Sequence, residues 1–335
     1  MTRLMLKLLL PVLALIIGFF IFNEYQRFLS TPINVDENNK ILTIQPGMNL
    51  NQVSQKLTEQ GITDFPANYL SWYGRYRQSA HKIKAGEYQL DAQQTLPDLL
   101  ALFITGKVIQ HSFTIIEGMT SRQLFAAIAA DKRFIKTLEN YDLSTVMTQI
   151  DGNERHGEGE FAPETYYFSA GTTDIAFLKR AYDLLQKNLA ESWLSKADNL
   201  PYKTPYEALI MASIIEKETG IAEERPEIAG VFVRRLNKGM RLQTDPTVIY
   251  GMGDKYDGNI RRKDLTTDTA YNTYTRYGLP PSPIALASKA AIHAALNPAS
   301  GKSLYFVAKG QEGRHVFSNT LAEHNKAVRQ YQLKK

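Results

Sequence analysis

No cysteine occurs among the 335 residues, which excludes disulfides and thiolate metal sites and leaves the compartment open. Neither G-x-x-x-x-G-K-S/T nor G-x-G-x-x-G is present, so the usual cradles for ATP and nicotinamide cofactors are missing. The six histidines, at positions 81, 111, 156, 293, 315 and 324, include no pair at H-x-x-x-H spacing. A metal site is therefore not expected, and no cofactor is expected either. Charge of one sign is not in large excess: the net charge is +5, which suits an acidic surface or polyanion as well as nucleic acid. The basic clusters Arg234-Arg235 and Arg261-Arg262-Lys263 fit a solvated face or an anionic partner better than a nucleic-acid interface. What is present in ordinary amount is core material. At 44% hydrophobic and 22% charged, the chain can build one large domain or two.

Long hydrophobic runs are limited to one, Leu4–Phe22, interrupted by the single charge of Lys7. A helix of that length spans the hydrocarbon layer, with Lys7 snorkelling. Arg3 and Lys7 precede the apolar part and orient the N-terminus to the cytoplasm. A cleaved signal peptide is the rival, but Asn23-Glu24-Tyr25 follows directly, with no small-x-small site in reach. The expectation is a cytoplasmic tail over 1–3, a single-pass anchor over 4–22 and a polar linker over 23–40. The rest lies outside the cytoplasm.

A repeat follows. Leu42-Thr43-Ile44-Gln45-Pro46-Gly47-Met48-Asn49-Leu50-Asn51-Gln52-Val53 matches Phe113-Thr114-Ile115-Ile116-Glu117-Gly118-Met119-Thr120-Ser121-Arg122-Gln123-Leu124 at constant offset. Each copy predicts a short strand, a glycine turn and a capped helix, Leu50–Gln60 and Ser121–Ala130. Thr120 with Gln123, and more weakly Asn49 with Gln52, supply the capping boxes. Between the copies, helices are predicted over Pro66–Arg77 and Pro97–Ile104 and a strand over Gly86–Leu90. Such an α+β module is either a glycan binder or a spacer, and its residues alone weigh the two evenly. Phe134–Asn153 reads as helical then loose, and Asp174–Asp198 as one amphipathic helix.

The stretch Glu207–Gly220 predicts a helix, with Pro201 and Pro205 before it and Gly220 at its stop. Met211, Ile214 and Ile215 share a face, and Glu218 continues that stripe at spacings of three, four and seven. Glu216 falls further round. Burial and the negative end of the helix dipole both hold a proton on Glu218, as a general acid requires. The alternative is an ion-paired glutamate, with Lys217 or an arginine as partner. Further on, Gln243, Thr244, Asp245 and Thr247 crowd around Pro246, which biases Asp245 toward an extended conformation. Such crowding makes either a turn network or a substrate-binding wall. A second polar and aromatic block is Tyr271–Thr275. Upstream, Phe161, Tyr166, Tyr167 and Phe168 follow Glu158 and Glu160; they form either a sugar-stacking platform or a satellite core. Helices over Glu227–Arg235, Ser288–Leu296 and Leu321–Gln332, and a hairpin over 304–317, complete the reading.

The whole external part resembles the endolytic murein transglycosylase family. The residues that carry this are Ala212-Ser213-Ile214-Ile215-Glu216-Lys217-Glu218-Thr219, Arg241-Leu242-Gln243-Thr244-Asp245-Pro246-Thr247-Val248-Ile249-Tyr250-Gly251, Tyr271-Asn272-Thr273-Tyr274 and Gly278-Leu279-Pro280-Pro281. Glu158-Gly159, Pro163–Tyr166 and Leu304–Val307 match more loosely. The ordered set is specific although each part alone is weak. The chain departs from the family where Ala287-Ser288 stands in place of a frequent Pro-Gly. The resemblance implies an α+β fold: a transmembrane helix, a small LysM-like module (41–155) and a mixed α+β catalytic domain (156–335). It implies a lytic transglycosylase, at the inner membrane with its catalytic domain in the periplasm, that cuts peptidoglycan internally and contacts peptidoglycan synthases. It also implies Glu218 as the catalytic acid, with Gln243, Asp245, Thr247, Tyr250, Asn272 and Tyr274 positioning the sugars. Asp245 is alternatively a helix cap, and Tyr250 a core residue. The rival functions are a non-catalytic wall-binding scaffold and a glycan hydrolase.

Overall fold

The computed structural model describes residues 2–152, 156–310 and 313–333, with side chains from residue 11 onward. Its contacts divide the chain into two compact units. One contains residues up to His111 together with Tyr167–Thr172; the other contains Ser112–Tyr166 and everything from Thr173 on. The architecture is mixed α+β, helix-rich, with strands only in pairs among the described residues.

The first unit begins with α1 (Thr2–Ser30), which contains one stretch, Pro11–Ser30, long and apolar enough to cross a membrane. The part of α1 beyond Phe22 was expected to be linker. Instead the helix continues to Ser30, and Phe28 and Ile33 enter the unit's core. Four apolar side chains of this polar stretch, Phe28, Leu29, Ile33 and Val35, pack on that core without a helical or strand period to announce it. Then come β1 (Ile41–Ile44), α2 (Leu50–Glu59), α3 (Asn68–Tyr76) and β2 (Gly86–Gln89). The strands pair antiparallel, Leu42 opposite Tyr88 and Ile44 opposite Gly86, giving a βααβ order. Asn49 and Gln52 form the expected capping box at the start of α2. α4 (Leu96–Thr105) opens with a second box, Thr95 with Asp98, and closes on left-handed Gly106. Leu42, Val53, Leu57, Leu99 and Phe103 are wholly buried between these elements.

The division between units runs through β3 (Gln110–Thr114). The second copy of the repeat therefore packs with the second unit, not with the first. Its helix α5 (Ser121–Ala130) is as predicted, with Thr120 and Gln123 boxed, and its Phe125 meets Phe161 edge-on at 5.4 Å. The next segment reverses the expectation of helix then loop. Residues 131–142 are irregular, and α6 (Leu143–Asp151) follows, started by Asp142, which accepts from the Thr145 amide. Asn153, at the end of that expectation, lies outside the described residues. β4 (Thr165–Ser169) pairs with β3. Phe168 and Tyr166 are buried as core, whereas Tyr167 is exposed.

After α7 (Asp174–Leu194), the second unit is built around α8 (Pro205–Glu218). Every residue from Ala208 to Ile215 is buried, so α8 has no solvent face over two turns. Its sheath is α7, α9 (Arg225–Asn237), α10 (Asp245–Met252) and, beyond the short α11 (Arg262–Thr266), α12 (Lys289–Leu296). β5 (Tyr305–Ala308) and β6 (His315–Ser318) make the expected hairpin, and α13 (Leu321–Tyr331) lies against it. Pro246 was expected to extend Asp245. Instead Thr244 is extended as the cap and Asp245 is already helical, because proline is tolerated in a first turn.

Gly230 marks how closely the sheath is packed. A methyl group there would sit 2.5 Å from the Ala299 carbonyl oxygen and 2.7 Å from Arg234 Nη1. Glycine inside a helix normally costs about 1 kcal/mol relative to alanine. At this position the sign reverses: Gly230→Ala is expected to destabilise by about 1–3 kcal/mol through overpacking. Denaturant unfolding of the two proteins checks this.

Candidate active site

Glu218 ends α8, and its carboxylate lies in a groove of about 540 Å³ within the second unit. Part of the residue stays open to this groove, while its carboxyl group is closely packed. Burial pushes its pKa up to about 7. The Thr244 hydroxyl, which donates to Glu218 Oε1, pulls it down; the negative charge of Asp245 raises it and Arg235 lowers it. The burial contribution is the largest, so near neutral pH the group is poised between its two forms.

The expected alternative, an ion-paired Glu218, is not what forms among the described residues. Lys217 reaches the Gly118 carbonyl at 3.2 Å. The nearby arginine, Arg225, is 3.3 Å from Glu216. Glu216 also accepts from the backbone N–H of Ser288 at 2.9 Å and from its hydroxyl. Thus both glutamates at the end of α8 are shielded, and the stripe alone does not separate them. Their partners do: Glu216 is compensated and holds the start of α12, while Glu218 faces the groove.

The groove wall is made by local chemistry around α10. Thr244 is the N-cap of α10, yet its side chain makes no cap bond. The hydroxyl is spent on Glu218 instead. Its own amide donates to Thr273 Oγ1 at 3.1 Å, and Thr247, fully buried, bonds both the Thr244 carbonyl (2.8 Å) and Thr273 Oγ1 (2.9 Å). Gln243 is held at φ +51°, a left-handed conformation rare for a residue with a side chain. Arg235 secures the approach to it, donating from Nη1 to the Leu242 carbonyl at 2.8 Å and from Nε to the Leu304 carbonyl at 2.6 Å. The same guanidinium lies 5.0 Å from the ring centroid of Tyr305, so it ties α9, the 241–245 wall and β5 together. The Tyr274 hydroxyl donates to Asp245 Oδ1 at 2.6 Å. His315, paired with Glu224 at 2.8 Å, and His324, stacked on Tyr305, also line the groove.

Of the expected site residues, Glu218, Gln243, Asp245 and Tyr274 line this groove. Thr247 lies behind the wall, as its support. Asn272 is fully buried, and its Nδ2 donates to the carbonyls of Asp264, Leu265 and Thr267 while Oδ1 accepts from the Tyr274 amide. It shapes the loop that presents Tyr274. Tyr250 donates to Glu158 Oε2 at 3.1 Å and stacks edge-on with Tyr271 at 4.7 Å, away from the groove lining. Glu158 is buried, and burial raises its pKa, but it also accepts from the Ser121 and Gly159 amides. Thr244 stands in the crowded stretch around Pro246 and Arg235 in a basic cluster, but the sequence assigns neither a role at the site, and it does not single out Tyr305. The signal for Thr244 as a cap is its position one residue before an Asp-Pro helix start.

The raised pKa makes a stability prediction. Glu218 holds its proton more tightly folded than unfolded, where its ordinary value is 4.5. Below that value the proton is bound in both states and nothing is lost. As pH rises through 4.5 toward about 7, ionisation penalises the fold, by on the order of 3 kcal/mol at most. Glu218→Gln is therefore expected to melt above wild type at pH ~8 and level with it at pH ~4. Thr244→Val, which removes the donor, should move the midpoint of this difference upward, and Asp245→Asn should move it downward; thermal melts across pH read all three.

Comparison with known proteins is consistent with these elements. The chain aligns with an endolytic murein transglycosylase of Bacillus subtilis at 32% identity over 325 residues, 92% of this chain and 89% of that one. It aligns with an endolytic murein transglycosylase of Streptococcus pneumoniae at 28% identity, over 96% of this chain but 65% of that longer one. The crystal structure of a yceG-like protein from Listeria monocytogenes superposes with TM-score 0.55 at 29% identity, covering 86% of this chain and 98% of that one. A sequence profile matches residues 42–330, nearly the whole of both compact units beyond α1, and by that match the chain belongs to the YceG-like family.

Proposed function

We propose that this chain is an endolytic lytic transglycosylase, a lyase that cuts peptidoglycan glycan strands with Glu218 as acid and then base. One observation carries the reading: a carboxyl group with a pKa near 7 lies in a groove of about 540 Å³ with other polar groups beside it. Protonated Glu218 gives its proton to the oxygen joining N-acetylmuramic acid to N-acetylglucosamine. The bond breaks through an oxocarbenium-like state, which the substrate's own N-acetyl group stabilises. Ionised Glu218 then takes the proton of the muramyl C6 hydroxyl, whose oxygen closes a 1,6-anhydro ring. The proton leaves and returns to one site, so a single residue with a pKa near the working pH serves both steps. Gln243, Asp245 and Tyr274 hold the sugars. Thr247, Tyr250 and Asn272 act behind them, by holding the wall in place.

The hydrolase reading has one feature in its favour. Asp245 stands close enough to raise the pKa of Glu218, and ordinary glycosidases use two carboxylates. The Tyr274 hydroxyl already occupies one oxygen of Asp245, which suits a positioning role. The βααβ order of the first unit supports a LysM-like, glycan-contacting module. The long apolar stretch of α1 supports a single-pass anchor. We infer beyond this that the second unit works on the periplasmic side of the inner membrane, in contact with peptidoglycan synthases.

Mass spectrometry of digested glycan tests the reaction. Wild type should produce ends lacking one water relative to hydrolysis; a hydrated end would make it a hydrolase, and no new ends a scaffold. Glu218→Gln should lose activity by about 10²–10⁴-fold. It should still sediment with insoluble wall glycan. Glu216→Gln should retain much of the activity while lowering the melting temperature, because it weakens the Arg225 and Ser288 contacts.

A further inference from the structure

A second concave surface lies in the first unit, about 640 Å³ in volume and almost wholly aromatic and aliphatic. One wall is α3, whose Tyr69, Trp72, Tyr73 and Tyr76 fall at spacings of three, four and seven, on one face. The other wall is α1, through Phe20, Ile21, Tyr25 and Phe28. Phe28 fixes the two helices together, with its ring centroid 5.4 Å from that of Tyr73 and 6.3 Å from that of Tyr69. Yet Trp72 is 57% exposed, Tyr76 79% and Tyr25 44%, which is a large apolar area to leave facing water.

The height of this face is set by α1. The apolar run ends at Phe22, and a helix rises about 1.5 Å per residue. Tyr25 is then about 5 Å beyond the hydrocarbon edge, within a headgroup layer about 5–8 Å thick, and Phe28, about 9 Å beyond it, is at that layer's outer side. Phe20 and Ile21 belong to the spanning run itself, and they share the groove with Trp72 and Tyr76. α3 cannot touch those residues and stand clear of the bilayer. Trp and Tyr are the residues that settle at that depth, with ring in the acyl boundary and polar edge among headgroups. Arg75 and Arg77, both exposed at the end of α3, add attraction to anionic lipid. A sugar site would need convergent polar groups, whereas the groove's one charged residue, Glu24, is paired with Arg27 at 3.2 Å.

We propose that the aromatic face of α3 is seated in the phospholipid headgroup layer, a second membrane contact that holds the first unit flat against the bilayer beside its own anchor. The proposal rests on α1 as a membrane span, and the test separates the two. The chain has two tryptophans, Trp72 and Trp193, so Trp193→Phe leaves Trp72 as the sole reporter. The full-length protein is reconstituted in vesicles of phosphatidylethanolamine and phosphatidylglycerol carrying bromine either near the headgroup end or near the end of the acyl chain. Trp72 emission should be quenched at least twofold more by the shallow bromine than by the deep one, and be blue-shifted relative to tryptophan free in water. Wild type minus Trp72→Phe gives the same readout with Trp193 untouched. In a protein with both tryptophans replaced, the Phe19→Trp substitution reports the span, and its emission should be quenched from within the acyl region. Quenching of the Phe19→Trp reporter together with an unquenched, acrylamide-accessible Trp72 overturns the proposal while the anchor stands. Loss of both signals overturns the anchor as well. Trp72 shielded only on addition of wall glycan, or only at high protein concentration, would assign the face to sugar or to a second copy and equally overturn it.

Discussion

The second unit depends on one constraint: α8 has no polar side from Ala208 to Ile215 and must be sheathed completely. α7, α9, α10 and α12 supply that sheath, and buried Ser213 shows how little polarity it tolerates. Its hydroxyl donates back to the Ile210 carbonyl and accepts the Ile284 amide, so both of its hydrogen-bonding roles are used. A helix enclosed in this way delivers its last turn to a fixed place. That last turn carries Glu216 and Glu218 to different fates, one into a closed set of partners and one into the lining of a groove.

The carboxylates around the site sort by compensation rather than by depth. Glu216 has Arg225 and Ser288; Glu224 has His315; Glu158 has two amides and a tyrosine hydroxyl. Glu218 has one threonine hydroxyl, with Arg235 acting only at a distance and Asp245 acting against it. Incomplete compensation is what keeps its proton available. Thr244 sits at the balance point, because it forgoes the ordinary capping bond of α10 to reach Glu218. Arg235 has a parallel role in the backbone: its guanidinium binds three carbonyls and so fixes the wall in which Gln243 holds its left-handed conformation.

The first unit has a different logic. Its βααβ core is closed by capping boxes and buried leucines, but the outer aromatic face of α3 is left uncovered by the described residues. α1 runs on past its apolar stretch to Ser30 without a break, and Phe28 on it is buried in that core, so residues 23–30 are part of the packed unit.

The sequence by itself determined the local grammar. The four-residue boxes at Asn49 and Thr120, the apolar periods and the single long apolar run are short-range signals, and α2 and α5 start where the boxes put them. It also determined Glu218 as the acid to examine, although the stripe argument would have served Glu216 nearly as well once α8 proved buried on all sides. Tertiary structure decided the rest. Asn272 and Thr247 are polar and near the wall in sequence, but the carbonyls of the loop just before it consume Asn272, and the Thr244 carbonyl with the distant Thr273 hydroxyl consumes Thr247. Phe28 and Ile33 turn a presumed linker into core, and the second repeat copy joins the other unit because Phe125 finds Phe161. Which side-chain group is spent on which partner is a long-range question, answered by approach of segments tens of residues apart, and no spacing along the chain encodes it.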